Sequence, residues 1–170
     1  MASFEREIYL SFKYTMPQAY FRRIYDRHYT GLKPFDFELF YQGFFFALEA
    51  KHQKGRLSLR RIHPHQKESL EKIMKNGGLS YFLIRIEDPK KFQNKFRAFV
   101  LYYPTFVVMI EELSKRSCNA QDLENYAEYE AKRIRIKKKY YGWSFPEFFE
   151  KVVRKGENVR FERRDENTKL

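Results

Sequence analysis

The chain has 170 residues, enough for one domain with a true core, and its 34 Lys and Arg against 22 Asp and Glu leave a formal net charge of +12. A charge of that size points to a polyanionic partner, or else to a merely basic soluble protein. The single cysteine, Cys118, excludes an internal disulfide and a cysteine-based zinc site. Charges interrupt the apolar runs of the first thirty residues, and runs such as Phe44 to Leu48 are far too short to span a bilayer. A soluble, intracellular protein is therefore expected, with neither signal peptide nor membrane association. Aromatic residues make up 19% of the chain, with 18 Phe and 13 Tyr. Most must build the core, and exposed Tyr beside Lys or Arg are candidates for stacking on bases.

The sequence contains neither repeats nor a low-complexity linker. In chain order, Phe4, Ile8 and Phe12 fall at helical spacing, with Glu5 at the edge of their face, and predict a helix over 4–14 that Pro17 ends. Residues 18–33 read as irregular and basic, with Arg22, Arg23, Arg27, His28 and Lys33. Two strand-like runs follow, 35–41 and 44–51, joined by Gln42-Gly43, a connection short enough for a hairpin. The second run carries Phe45 and Ala47 on the face of Glu49 and Lys51. Phe44, Phe46, Leu48 and Ala50 lie on the other face, so this strand is expected in the middle of a sheet covered on both sides.

A basic loop over 52–61 holds Lys54, Arg56, Arg60 and Arg61. A helix is predicted over 63–76, with Pro64 at its start and Gly77-Gly78 past its end. Strands over 79–86 and 96–103 and a helix over 105–115 come next. Residues 121–139 read as a charged helical stretch whose last eight positions hold six basic residues. A short last helix is expected over 145–153, and a mobile polar tail over 156–170. The element order implies a mixed α/β sheet flanked by helices.

Asp36 and the triplet Glu49-Ala50-Lys51 are the constellation with chemistry in it. The two ends of an E-x-K triplet point to one side of a strand, and the hairpin can carry Asp36 beside them. Two converging carboxylates repel unless a cation sits between them, and oxygen ligands of this kind suit Mg²⁺ or Mn²⁺. Such an ion activates water and holds a phosphate, while Lys51 would meet the charge developing there. The competing reading is a structural salt bridge, because the spacing alone is weak. Gln66 shares a helical face with Ser69, Leu70 and Ile73, so it should point at the sheet and need a buried partner. A metal-bound water, a phosphate or a satisfied core contact would each serve.

The stretch from Asp36 through Gly43 to Glu49-Ala50-Lys51 resembles the catalytic hairpin of RecU-type Holliday-junction resolvases, within the restriction-endonuclease-like PD-(D/E)XK nuclease fold. Phe4-Glu5-Arg6-Glu7-Ile8, Ile62-His63-Pro64-His65-Gln66, and Gly77-Gly78 followed by Tyr81-Phe82-Leu83-Ile84 resemble further family segments in the same order. The resemblance covers residues 3–110. It departs at Phe35, where the family has Thr before the Asp, and in the short segment before Asp36, where the family carries an insertion that engages the junction. It implies that Asp36, Glu49 and the carbonyl of Ala50 bind Mg²⁺, with Mn²⁺ substituting, and that Lys51 is the catalytic lysine. Glu5 is the implied extra carboxylate, with Glu7 as the alternative, and Gln66 joins the catalytic set.

The implied activity is metal-dependent hydrolysis of branched DNA, above all four-way junctions, by a homodimer. Other readings are a restriction-type or nicking nuclease of the same fold, or a DNA-binding protein without catalysis. Candidate DNA contacts are Arg22, Arg23, Lys54, Arg56, Arg60, Arg61, His65 and the run Lys137, Lys138, Lys139. The expected organisation is a nuclease core over residues 1–116 and a basic, mostly helical extension over 117–170, packed on or beside it.

Overall fold

The computed structural model describes residues 3–25, 32–87 and 95–167; Arg27 and His28 of the basic stretch lie outside them. In chain order the elements are α1 (Phe4–Thr15), β1 (Tyr20–Arg23), β2 (Phe37–Tyr41), β3 (Phe44–Lys54) and β4 (Arg56–Ser58), then a 3-10 turn (Leu59–Arg61). They continue with α2 (Pro64–Lys75), β5 (Leu79–Glu87), β6 (Phe96–Tyr102), α3 (Tyr103–Leu113), β7 (Ser117–Asn119), α4 (Ala120–Tyr126), β8 (Tyr129–Ala131), β9 (Arg133–Lys137), β10 (Tyr140–Trp143) and α5 (Phe145–Asn167).

The expected mixed sheet flanked by helices is present. Its six strands run β1-β2-β3-β5-β6-β8. The β3–β5 pair is parallel and the other neighbours are antiparallel. A parallel pair needs a crossover, and α2 supplies it. Strand β3 is central and apolar on both faces. Phe46, Leu48 and Ala50 join Phe4, Ile8, Phe12, Trp143, Phe145 and Phe149 on the side of α1 and α5. Ala47 joins Leu70, Phe82, Phe106 and Leu123 on the side of α2, α3 and α4. Gln42 and Gly43 both take positive φ at the tip of the β2–β3 hairpin, the backbone that a two-residue turn between twisted strands requires. Among the described residues no helix is long and apolar enough to cross a membrane.

Four readings of the sequence are corrected. The stretch over 52–61 is not a loop: β3 runs on to Lys54, β4 pairs with β7, and Leu59–Arg61 is a 3-10 turn. The stretch over 18–33 is not wholly irregular: Tyr20–Arg23 pairs with β2 as an edge strand, because Phe21 is stacked between Phe12 and Phe37, at 4.2 and 5.2 Å between ring centres. Residues 121–139 are not one helix. Only α4 is helical there; β8 adds to β6 in the main sheet, and β9 forms a separate hairpin with β10. The alternation Arg133-Ile134-Arg135-Ile136-Lys137 has the period of a strand, with the Ile side chains half-buried and the cations exposed. The last helix does not stop at 153 but runs to Asn167.

Candidate functional site

A cleft of about 480 Å³ opens beside the C-terminal half of β3, and Glu5, Asp36, Glu49, Lys51, Arg61 and Gln66 are in its wall. Each is delivered by local structure. Asp36 sits one residue before β2, where its N–H donates to Leu48 O at 3.1 Å, so the antiparallel ladder sets it opposite the Glu49 region. Its Oδ2 accepts the Ala50 N–H at 2.7 Å. Glu49 and Lys51 project from one side of β3, as the strand period requires. Gln66 is the third residue of α2. Its Oε1 accepts the N–H of His63 at 3.1 Å, which caps the helix and fixes the amide in the cleft.

Three of these side chains, Glu49, Lys51 and Gln66, form one hydrogen-bonded group, with Asp36 held beside it by the Ala50 N–H. Lys51 Nζ donates to Glu49 Oε1 at 2.7 Å and to Gln66 Oε1 at 3.1 Å. Gln66 Nε2 donates to the same Glu49 oxygen at 2.6 Å. Gln66 thus finds its buried partner in the carboxylate and the lysine. The Lys51–Glu49 contact is an ion pair, as the competing reading allowed. It does not satisfy the carboxylate, since Glu49 Oε2 is buried with no hydrogen-bond partner among the described residues. Burial, and then the charge of Asp36, push the Glu49 carboxyl up to about 7, against the lowering pull of Lys51.

On the other carboxylate, the Lys33 ammonium pairs with Asp36 Oδ1 and also pulls Glu49 down. A cation already stands at the acid pair, in the form of a side chain. The donor set fits a divalent ion: two hard carboxylates, one with a buried oxygen unpartnered among the described residues and one paired with the Lys33 ammonium. Among the described residues, however, no group of three His, Cys, Asp or Glu is gathered closely enough to hold a metal. Glu5 lines the same cleft from the first turn of α1. Its neighbour Glu7 faces inward, where Oε2 accepts from Arg85 Nη1 at 2.7 Å and Trp143 Nε1 at 2.8 Å.

The expected DNA-contact residues divide. Arg61 borders the cleft. His65 stands just outside it, its ring stacked at 5.6 Å on that of His63, which lines the wall. Arg22 is ion-paired with Glu38 on the sheet edge, and Arg23 lies over the Tyr25 ring. Arg56 bonds Ser117, while Lys54 and Arg60 are exposed. Lys137, Lys138 and Lys139 are exposed on the β9–β10 hairpin, away from the cleft wall. Cys118 is fully buried, and burial pushes its thiol up to about 11, which leaves it inert as a nucleophile.

Sequence reasoning missed Lys33 as a partner of Asp36, and His52 and Arg85 as cleft residues. Lys33 carried a signal, three positions before the acid, whereas the place of Arg85 depends on the register of β5 against β3.

A family model described as "RecU: Recombination protein U" matches residues 11–142. The Holliday junction resolvase RecU of Mycoplasmopsis pulmonis (strain UAB CTIP) is 49% identical over 53 residues, 31% of this chain and 34% of that protein. The protein of the same name from Shouchella clausii (strain KSM-K16) is 34% identical over 70 residues, 40% of this chain and 30% of the relative. The aligned stretches thus span about a third of the length of these curated relatives. A solved structure of Archaeoglobus fulgidus Hjc, a Holliday junction resolvase, aligns with a TM-score of 0.44 at 20% identity, over 72% of this chain and 90% of that one.

Proposed function

The chain belongs to the RecU family of recombination proteins, and from that premise we propose that it is a structure-selective endonuclease that resolves four-way DNA junctions by metal-dependent phosphodiester hydrolysis. The observation that carries this reading is the buried Oε2 of Glu49, unpartnered among the described residues, in a cleft that Asp36 and Lys51 also line and where the charge of Asp36 acts on Glu49. A buried carboxylate oxygen with no donor costs free energy, and a bound cation would remove that cost.

Asp36 and Glu49, with the carbonyl of Ala50, are the proposed ligands of Mg²⁺, for which Mn²⁺ would substitute; Glu5 is the added carboxylate from α1. An ion bound there supplies a water of lowered pKa and a Lewis acid for the scissile phosphate. The side chains do the rest. Lys51 presents its ammonium where charge builds on the phosphate. Gln66 holds that ammonium and Glu49 Oε1 in register from α2. The Ala50 N–H fixes the Asp36 carboxylate, and an ion binding there would compete with the Lys33 ammonium for Asp36 Oδ1. Arg61 and His65 at the rim, and Arg22, Arg23, Lys54, Arg56 and Arg60 beyond it, hold the DNA backbone, as do Lys137, Lys138 and Lys139.

A four-way junction is nearly two-fold symmetric, and two identical sites cut its paired strands only if the active unit is a homodimer. Exposed apolar side chains at Phe40, Val107 and Val108 are available for that contact. The test is cleavage of a labelled four-way junction beside a linear duplex and a flap, with Mg²⁺, with Mn²⁺ and in chelator. Paired cuts in the junction alone, lost in chelator, are expected. Equal cutting of all three substrates would remove the junction assignment, and full activity in chelator the metal. Light scattering, and mixing wild type with Asp36→Asn, read the dimer: mixed dimers should nick a junction without resolving it.

A further inference from the structure

From the outer face of α1 and the β9–β10 hairpin, we infer a second DNA surface, a platform on which tyrosines hold cations against the phosphates of a duplex arm. This rests on the DNA reading above and extends the contact given there to Lys137 into a continuous surface built with α1 and the tyrosines. Four observations carry it.

The first is charge without compensation. Residues 132–143 contain no acid. On α1, Glu5 goes to the cleft and Glu7 is buried, so the helix exposes Arg6 and Lys13 on the far side with no acid between them. None of Arg6, Lys13, Arg133, Arg135 or Lys137 takes part in an ion pair among the described residues.

The second is the seam. The hairpin is docked on α1 by Trp143 N–H to Ser11 Oγ and by Trp143 Nε1 to Glu7 Oε2, both 2.8 Å. Cations then bridge the two elements at the surface, Lys137 Nζ 4.0 Å from the Tyr14 ring centre and Arg6 5.8 Å from that of Tyr140. The platform is thus one surface, and its α1 edge starts one residue after Glu5 of the cleft.

The third is spacing. Arg133, Arg135 and Lys137 are the exposed positions of β9, with Ile134 and Ile136 turned toward the protein. Alternate strand residues lie about 7 Å apart, a regular row of cations of the kind a phosphate backbone can follow.

The fourth decides what is bound. Tyr9, Tyr14, Tyr140 and Tyr141 are 37%, 38%, 39% and 48% exposed. Each has a cation over its ring: Lys13 at Tyr9, Lys13 and Lys137 at Tyr14, Arg6 at Tyr140, Arg133 at Tyr141. A ring already covered by a cation is a poor platform for a base, but it holds that cation in place and lowers the entropy lost when a phosphate arrives. The arrangement therefore suits the backbone of a duplex and disfavours stacking of a single strand.

The test measures binding alone, in chelator, to a blunt duplex, a four-way junction and an oligo-dT strand across a salt series. The triple variant Arg133→Gln/Arg135→Gln/Lys137→Gln, checked for an unchanged melt, should bind duplex and junction roughly ten-fold or more weakly. It should also lower the slope of log affinity against log salt by about 2.7, which is 0.9 per lost phosphate contact. The pair Tyr14→Leu/Tyr140→Leu keeps every charge, so the slope should hold while duplex affinity falls roughly three-fold or more. Tyr14→Phe/Tyr140→Phe keeps the rings and should match wild type. An unchanged slope in the triple variant overturns the platform. Loss confined to oligo-dT in the leucine pair overturns the duplex assignment. Because no cleavage is read, an inactive cleft leaves these results standing, and an unchanged slope leaves the cleft reading standing.

Discussion

Glu49 carries opposing demands. Its fold buries it and leaves one oxygen unpartnered, while its proposed role needs it charged. With a folded pKa near 7 against an ordinary value of 4.5, the acid binds its proton more tightly in the folded chain than in the unfolded one. Its contribution to stability therefore falls as pH rises from about 4.5 to about 7 and is constant above that. Metal-free Glu49→Gln, which carries no such charge, should melt progressively higher than wild type across that window in a calorimetric series. Adding Mg²⁺ at pH 8 should raise the wild-type melt and leave the variant unmoved, and junction cleavage by the variant should be abolished. Equal gaps at pH 5 and pH 8 would mean that burial does not strain this carboxylate.

Gln66 touches both Glu49 and Lys51 without being a charge or a proposed ligand. Groups that orient metal ligands are worth roughly 10–100-fold in affinity or activity, and Gln66→Ala should lose cleavage by that factor at saturating DNA. Gln66→Glu places a third carboxylate against Glu49 and should be worse. Wild-type rates in Gln66→Ala would reduce the amide to a helix cap. At this scale much was legible. The E-x-K spacing, the hairpin before it, the facing of α2 and the family resemblance together pointed to the grouping of Asp36, Glu49, Lys51 and Gln66 along one cleft. Glu5 and Glu7 could not be separated, because the inward turn of Glu7 is decided by Arg85 and Trp143, far along the chain.

Those two residues belong to the scale of elements. The Glu7–Arg85 pair joins α1 to β5, with Trp143 of β10 as third member, and both charges are almost fully buried at 2.7 Å. The Arg85 guanidinium also lies between the rings of Phe4 and Phe96, at 4.9 and 4.7 Å. Breaking such a pair from one side strands a buried charge, at a cost of about 3–5 kcal/mol. Arg85→Met should lower stability by that amount in urea melts, and Glu7→Gln/Arg85→Met together should recover part of it. Additive losses would show that the two do not act as a unit. The elements also show where pattern reading failed. The basic run after residue 131 was weighed by its charge, although its isoleucines at every second position carried the strand period. Strand β1 has only four residues, and what makes it a strand is Phe21 between Phe12 and Phe37, a contact no local pattern encodes.

At the scale of the whole molecule, the division into a core over 1–116 and an extension over 117–170 can be put to the test by what the later residues cover. Phe149 packs on Phe12 and Phe46, and Phe145 and Trp143 pack on Phe4. Strand β8 pairs with β6, and β7 with β4. Trp143, Phe145, Phe149 and Val153 are all buried to within 1%. Burying such a side chain contributes roughly 1.5–3 kcal/mol, so these four alone are comparable with the ~5–15 kcal/mol by which domains are stable. A chain ending at residue 116 would leave the apolar side of α1 and β3 in water and free the edges of β4 and β6. It should therefore lack near-ultraviolet circular dichroism and a cooperative melt. Phe149→Ala in the full chain should cost about 3–5 kcal/mol and keep the fold. A cooperative, monomeric 1–116 fragment that binds Mg²⁺ would instead make residues 117–170 an added layer, with the cleft complete without it.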